Sequence, residues 1–192
     1  MKKTLLLLLL LASSFSIFAQ AKIIIDKAND NGERIIGTSE ESIRSFTDKI
    51  PLSVSISATV LNSNNSKVTI YTLGMLLTAQ YDIKIPEGGK ILIKLSNDEI
   101  ISLQNNKEAS DPVGELVPGT STIIHYTRPN YTINEDQLNK IASIGVKKIR
   151  IETNSDAIDK EFKKDKMGAI IKNQYAIVKD KISKDKKFSD DF

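Results

Sequence analysis

His125 is the only histidine in the chain, and there is no cysteine. A lone imidazole can act as the base of a Ser-His-Asp triad. No G-x-S-x-G elbow accompanies it, however. Its setting, "TIIHYT", places it in a strand between apolar and aromatic neighbours, where a structural or exposed role is expected. One imidazole excludes a multi-histidine metal site. The lack of cysteine removes disulfides, thiolate nucleophiles and Cys-based zinc sites together.

Carboxylates are the other catalytic resource. Glu40 and Glu41 are adjacent, so on a strand they face opposite sides and form no dyad. Asp98 and Glu99 fall at a turn, Asp111 and Glu115 in one loop, Asp156 and Asp159 in another. A glycosidase pair needs carboxyls about 5 Å or about 6.5–9.5 Å apart. Spacing along the chain singles out no such pair, and these acids read as scattered surface groups. Phosphate-cradling G-x-x-x-x-G-K-[ST] and G-x-G-x-x-G loops are absent. In "KIIIDKANDNG" a calcium loop with Gly32 at its sixth position would start on Lys27 and end on Thr38, so the EF-hand pattern fails at both ends. A turn between strands fits better. Asn64-Asn65-Ser66 and Asn130-Tyr131-Thr132 match the glycosylation sequon, which matters only in a eukaryotic secretory pathway.

Cations offer a binding chemistry. Lys147, Lys148 and Arg150 lie close together, and Lys160, Lys163, Lys164 and Lys166 follow. The first three form a candidate patch for an acidic polysaccharide or a phospholipid headgroup. The competing reading is structural. Lysines on an exposed strand discourage edge-to-edge pairing, and Glu161 and Asp165 mix with the later lysines to solvate a helix face.

Elements must hold these groups. "PLSVSISATVL" at 51–61 alternates strictly, with Leu52, Val54, Ile56, Ala58 and Val60 on one face and Ser53, Ser55, Ser57 and Thr59 on the other. One buried face and one wet face mark an antiparallel strand. "NSNNS" turns the chain, and "KVTIYTLGMLLTA" completes a hairpin. "PEGG" at 86–89 is another turn. Residues 90–104 form a second hairpin about Ser96-Asn97-Asp98. Lys107 to Gly119, with two prolines and two glycines, reads as a loop. Ser121 to Thr127 resumes a strand.

The clearest local signature is "YTINEDQLNKIASIGVKKIRIET". Asn134 and Gln137 form a capping box, with Ile133 and Leu138 as its hydrophobic staple. Glu135 and Asp136 put negative charge in the first turn, and Gly145 ends the helix. Val146 to Thr153 then alternates as a strand. From Asp159 the chain is expected to be helical, with Met167, Ile170, Ile171, Gln174, Ile177 and Val178 on one buried face. On that placement Ile170→Asp abolishes the fold. Gly168 is awkward inside a helix and marks a break after a first turn near Phe162. The fold class that follows is α+β: an antiparallel-dominated sheet built from hairpins, with a short capped helix and a longer C-terminal amphipathic helix packed on it.

The opening, "MKKTLLLLLLLASSFSIFAQAK", has a positive start, a leucine core and a small-residue exit, the parts of a secretory signal. A spanning helix needs about 20 mostly apolar residues, and this run is shorter and broken by serines. The expected organisation is a signal peptide over 1–20, cleaved after Ala19 or Ala21, one α+β domain over 21–182, and a frayed charged tail over 183–192. The whole chain has 27 basic and 24 acidic residues. Losing Lys2 and Lys3 leaves 25 against 24, a net charge of +1 that leaves no electrostatic footprint for nucleic acid.

At residues 131–153, and again at "DKEFKKDKMGAIIKNQY", the chain resembles a group of small secreted or periplasmic proteins of Bacteroidetes-type bacteria. Those proteins carry a hairpin-rich front half, a Y-x-I-x-x-x-x-L helix, a "GVKKIRIET"-like strand and a Lys-rich terminal helix. Gln20 after a small residue also resembles their signal exits. The resemblance spans roughly residues 121–180. It implies compartment and fold, and it transfers no activity and no functional residue.

The expectation is therefore an exported periplasmic or secreted protein, a non-enzymatic binding or accessory module of the cell envelope. The alternative is a carboxylate-dependent hydrolase of envelope glycans. Assembly through an exposed strand edge is a third route to function. The expected partner is an envelope component or a glycan, with no nucleic acid, no cofactor and no membrane span after signal cleavage.

Overall fold

A computed structural model describes residues 21–29, 33–43, 50–63 and 66–190. The signal expected at 1–20 lies outside the described residues, as do the middle of the first turn and the central residues of "NSNNS". Twelve strands and two helices are described: β1 (Ile23–Ala28), β2 (Glu33–Thr38), β3 (Glu41–Ile43), β4 (Leu52–Ser63), β5 (Ser66–Ala79), β6 (Lys90–Leu95), β7 (Ile100–Gln104), β8 (Glu115–Leu116), β9 (Ile123–Thr127), β10 (Asn130–Ile133), α1 (Glu135–Ile144), β11 (Val146–Ile151), β12 (Ile158–Glu161) and α2 (Lys166–Asp190). The protein is α+β, with antiparallel sheets and helices packed on them.

The long hairpin is the spine of the larger sheet. β4 and β5 pair without a slip from Leu52↔Leu77 to Ser63↔Ser66. β2 and β3 follow one another along the free edge of β4, and β9 and β10 along that of β5. The order is β1-β2-β4-β5-β9-β8, with β3 and β10 off this path. The smaller sheet runs β12-β11-β6-β7. Period-two alternation survives intact: Leu52, Val54, Ile56, Ala58 and Val60 are buried, and the Ser/Thr face stays partly wet. A single apolar cluster joins the inner face of the large sheet to Ile91, Ile93, Ile149 and Ile151 of the small sheet, and to Leu138, Ile141, Met167, Ile171 and Val178 of the helices.

The first helix forms as expected. Asn134 Oδ1 accepts from Gln137 N at 2.8 Å, and Gln137 Oε1 accepts from Asn134 N at 3.0 Å. Gly145 ends it at φ 83°, a conformation that favours glycine.

Two expectations about the C-terminal part change. Residues 159–161 belong to β12, paired to β11 through Arg150↔Asp159 and Lys148↔Glu161. This charged stretch has no apolar stripe to hold it helical, and the open edge of β11 offers a full ladder instead. The second change concerns Asp165, whose charge does more than solvate a helix face. Its Oδ1 accepts from Gly168 N at 2.7 Å, in the first turn of α2, and from Val146 N at 2.9 Å, at the start of β11. The helix therefore begins at a capped Lys166, and Gly168 sits in its first turn rather than at a break. The helix runs to Asp190. Between Lys107 and Gly119 the chain is mostly loop, yet it adds β8 to β9 and an Ile85–Ala109 bridge.

Gly145 and Gly168 leave the space that Asp165 fills. A Cβ on Gly168 would come within 2.5 Å of Oδ2, and one on Gly145 within 2.6 Å. In an open helix Gly→Ala gains about 1 kcal/mol. Here Gly168→Ala is expected to destabilise, because the methyl displaces the capping carboxylate. Asp165→Ala alone should cost about 1–2 kcal/mol. In the double variant the alanine at 168 should be tolerated, so urea melts of the four proteins will be strongly non-additive. Additive effects would show that the cap and the glycine act independently.

Candidate functional site

A cavity of about 560 Å³ lies where β5, the start of α1 and the far half of α2 meet. Thr69 and Tyr71 reach it from β5, Asn134 and Glu135 from α1, and Lys179 and Ser183 from α2. The capping box fixes the α1 side, and Glu135 sits in the first turn, where the helix dipole favours its charge. Tyr71 and Tyr175 pack edge to face, with ring centres 5.5 Å apart and planes at 82°.

One carboxylate gathers the polar groups. Glu135 Oε1 accepts from Tyr175 Oη at 2.6 Å and from Lys179 Nζ at 2.7 Å. The Lys179 ammonium also stands 5.5 Å from the Tyr175 ring centre. The Lys179 and Tyr175 bonds hold the Glu135 carboxyl below its ordinary range. The same bond raises Lys179. Burial, then the bond to Glu135, pushes the Tyr175 phenol up, and burial with the Glu135 charge does the same to Tyr71. At neutral pH the carboxylate and ammonium are charged and both phenols keep their protons.

A second cavity, of about 540 Å³, is lined by Glu108, Asp111, Gly114, Glu115, Tyr126 and Arg128. Two loop acids singled out in the sequence, Asp111 and Glu115, come together here. Asp111 is spent on the fold. Its Oδ2 accepts from Tyr126 N at 2.7 Å and its Oδ1 from Gly114 N at 3.1 Å. These main-chain donors, Tyr126 first, hold it below its ordinary range. Glu108 pairs with Lys84 at 2.9 Å. His125 Nδ1 lies 2.5 Å from the Asp111 carbonyl. A carbonyl only accepts, so Nδ1 carries the proton, and a main-chain oxygen rather than a carboxylate orients the ring. That is not the base–carboxylate pairing of a hydrolytic triad.

The other singled-out acids are dispersed. Glu40 meets Arg128 at 3.5 Å, and Glu41 meets Gln174 of α2 at 3.4 Å. Asp98 pairs with Lys94, and Glu99 with Lys140. Among the described residues no group of three His, Asp or Glu side chains is placed to hold a metal ion.

The candidate cations lie on β11, and all three face carboxylates. Lys147 Nζ is 3.3 Å from Asp98, and Lys148 Nζ is 3.4 Å from Asp159. Arg150 makes two bonds to Asp159, of 2.7 and 2.6 Å. The Arg150 fork holds the Asp159 carboxyl at about 2. A depressed folded pKa means stability that is complete above the ordinary carboxyl value and lost as pH falls towards about 2. Carboxyl NMR should therefore show Asp159 titrating well below its ordinary value in the native protein. Arg150→Gln should return it towards that value and flatten this part of the acid-stability profile. An unchanged Asp159 titration in the variant would show that another group sets it.

Sequence reading passed over Thr69, Tyr71, Tyr175 and Lys179 as binding residues. A weak signal existed: Tyr175 and Lys179 are four apart on a helix, and Tyr71 keeps the inward phase of β5. Only folding brings α1 between them. A scan against protein-family models finds no match, and no curated protein or solved structure shows significant similarity to the chain.

Proposed function

We propose that the chain is an exported, non-enzymatic binding or accessory module of the cell envelope, with the cavity between β5, α1 and α2 as its binding surface. The observation that carries this reading is the state of the groups there. Glu135 is already engaged by two donors, and Tyr71 and Tyr175 are held protonated. Such groups hold a ligand by hydrogen bonds and charge, whereas general acid–base work needs a group poised near the working pH. An apolar and aromatic floor with a few convergent polar groups is the usual make-up of a binding cavity. Export rests on the leader-like N-terminus. Among the described residues no helix is long and apolar enough to cross a membrane.

The competing reading, a carboxylate-dependent hydrolase of envelope glycans, draws on the second cavity and on Glu108 and Glu115. Amide NMR of the ¹⁵N-labelled protein, titrated with envelope glycan fragments and envelope-derived peptides, separates the two. Shifts at Thr69, Tyr71, Glu135 and Lys179 without turnover support a binding module. Shifts at Asp111, Tyr126 and Arg128 with glycan cleavage replace it by the hydrolase.

A further inference from the structure

The ion pair that lines the 560 Å³ cavity is closed on one side and open on the other. Glu135 Oε1 takes both bonds, from Tyr175 Oη and from Lys179 Nζ. Tyr175 is buried, so it braces the carboxylate from the core. A carboxylate has two accepting oxygens, and an ammonium has three N–H groups. Among the described residues Glu135 Oε2 makes no hydrogen bond, and Lys179 spends one N–H on Glu135. The two side chains are 49% and 57% exposed, so a ligand reaches both. They present an acceptor and a donor side by side, with their charges already offset.

The surroundings add hydroxyls above an apolar floor. Thr69 stands two residues before Tyr71, on the same face of β5, and among the described residues its hydroxyl makes no hydrogen bond. Ser183 Oγ donates to Asp180 O at 2.8 Å and keeps its lone pairs to accept with. Tyr71, Ile133 and Ile182 are buried and form the floor. An anionic ligand would compete with Glu135 for Lys179, and a cationic one with Lys179 for Glu135. Either would disturb a charge-assisted bond of 2.7 Å. A neutral ligand leaves that bond whole. A hydroxyl both donates and accepts. Two neighbouring hydroxyls therefore meet Oε2 and an N–H of Lys179 together, one giving a proton and the other taking one.

We propose that the cavity binds a neutral saccharide, gripped at adjacent ring hydroxyls by Glu135 Oε2 and Lys179 Nζ. Thr69 supplies a further hydroxyl partner, and Tyr71, Ile133 and Ile182 lie beneath the C–H face of the sugar. Glu135 suits the accepting role, because Lys179 and Tyr175 hold its carboxyl ionised below the ordinary range. The volume lies within the range of small-ligand sites, about 300–1,000 Å³, and admits a short saccharide. This inference rests on the binding-module reading and names the class of its ligand.

The test titrates the ¹⁵N-labelled protein with cellobiose, mannobiose and N,N′-diacetylchitobiose, and with digalacturonic acid as the charged counterpart. Each is taken to about 20 mM, enough to fill a site with a millimolar Kd. At least one neutral disaccharide is expected to shift Thr69, Tyr71, Glu135 and Lys179, and to bind more tightly than digalacturonic acid. Glu135→Gln replaces the open acceptor by a donor and leaves Lys179 without its counter-charge. It should weaken the neutral sugar at least about tenfold and tighten digalacturonic acid. The capping box of Asn134 and Gln137 stays in place in this variant. Lys179→Gln reads the grip from the other side should Glu135→Gln fail to fold by circular dichroism, and should also weaken the neutral sugar. Neutral-sugar binding indifferent to Glu135→Gln, or to Lys179→Gln where that variant stands in for it, would overturn the grip. Digalacturonic acid binding the parent more tightly than every neutral sugar would overturn neutrality and leave the binding module standing. So would an envelope-derived peptide that shifts the cavity residues where no sugar does, since the saccharide would then be the wrong class. Failure of sugars and peptides alike to perturb the cavity would remove both readings.

Discussion

Ile171→Asp is expected to abolish the native fold. Ile171 has no exposed surface and lies in the apolar cluster shared by α2, α1 and the large sheet. A carboxylate there has no cation within the cluster. The penalty for an unpaired buried charge is several kcal/mol even after relaxation, against a total stability of about 5–15 kcal/mol for a domain. Ile170, one residue earlier, is only half-buried at the margin of the cluster. Ile170→Asp should therefore cost about 1–3 kcal/mol and leave a folded protein, a milder outcome than the sequence stripe implies. Far-UV circular dichroism with urea denaturation of both variants checks the ranking. An Ile171→Asp protein that melts cooperatively near the parent Tm would refute this seating of α2.

The second large effect is expected at Asn105, the pin between the two sheets. It follows the last residue of β7, is 2% exposed, and bridges to Tyr131 of β10. Its Nδ2 donates to the carbonyls of Ile85 at 3.4 Å and Pro86 at 3.1 Å, and also to that of Lys107. Its Oδ1 accepts from Asn130 N at 3.1 Å. Asn105→Leu keeps the bulk and strands those main-chain groups away from water. The expected loss is about 2–4 kcal/mol, since each buried orphan forfeits its desolvation cost. That corresponds to a fall in Tm of roughly 5–15 °C.

Asn105→Asp adds a sign test. A carboxylate there would face three carbonyl oxygens, so its folded pKa would rise above the unfolded value. Its protonated form is the compatible one, and stability would be lost as pH climbs through the raised pKa. The variant should be closest to the parent in Tm near pH 4 and furthest from it at pH 8. A constant difference across that range would show that the carbonyls do not surround the side chain as described.

Local rules predicted most of the elements. Ser53 to Val60 alternate because one face meets the core and the other meets water. Asn134, Gln137 and Gly145 make a helix whose ends satisfy themselves. Both long hairpins declare themselves by β-rich runs about polar turns. These features depend on neighbours a few residues away, so pattern alone reveals them. The seating of α2 is different. Ile170 and Ile171, like Ile177 and Val178, bracket the seam, and helical periodicity accepts either side. The buried stripe is Met167, Ile171, Gln174, Tyr175, Val178 and Ile182, because Tyr71 receives Tyr175 and α1 closes over it.

The same division holds for the candidate site. The sequence by itself determined the inventory: one imidazole, no thiol, no phosphate loop, and strands with one wet face. Tertiary structure alone decided what those groups do. It set the β11 cations against Asp98 and Asp159, spent Asp111 and Asp165 on main-chain amides, and turned 159–161 into a strand. Arg150–Asp159 spans 9 residues, Asp111–Tyr126 15, Val146–Asp165 19 and Lys147–Asp98 49, and the β11–β12 ladder overrides a local preference. Such choices are made by the packed whole, because charge pairing and strand pairing act through space and leave no period in the chain.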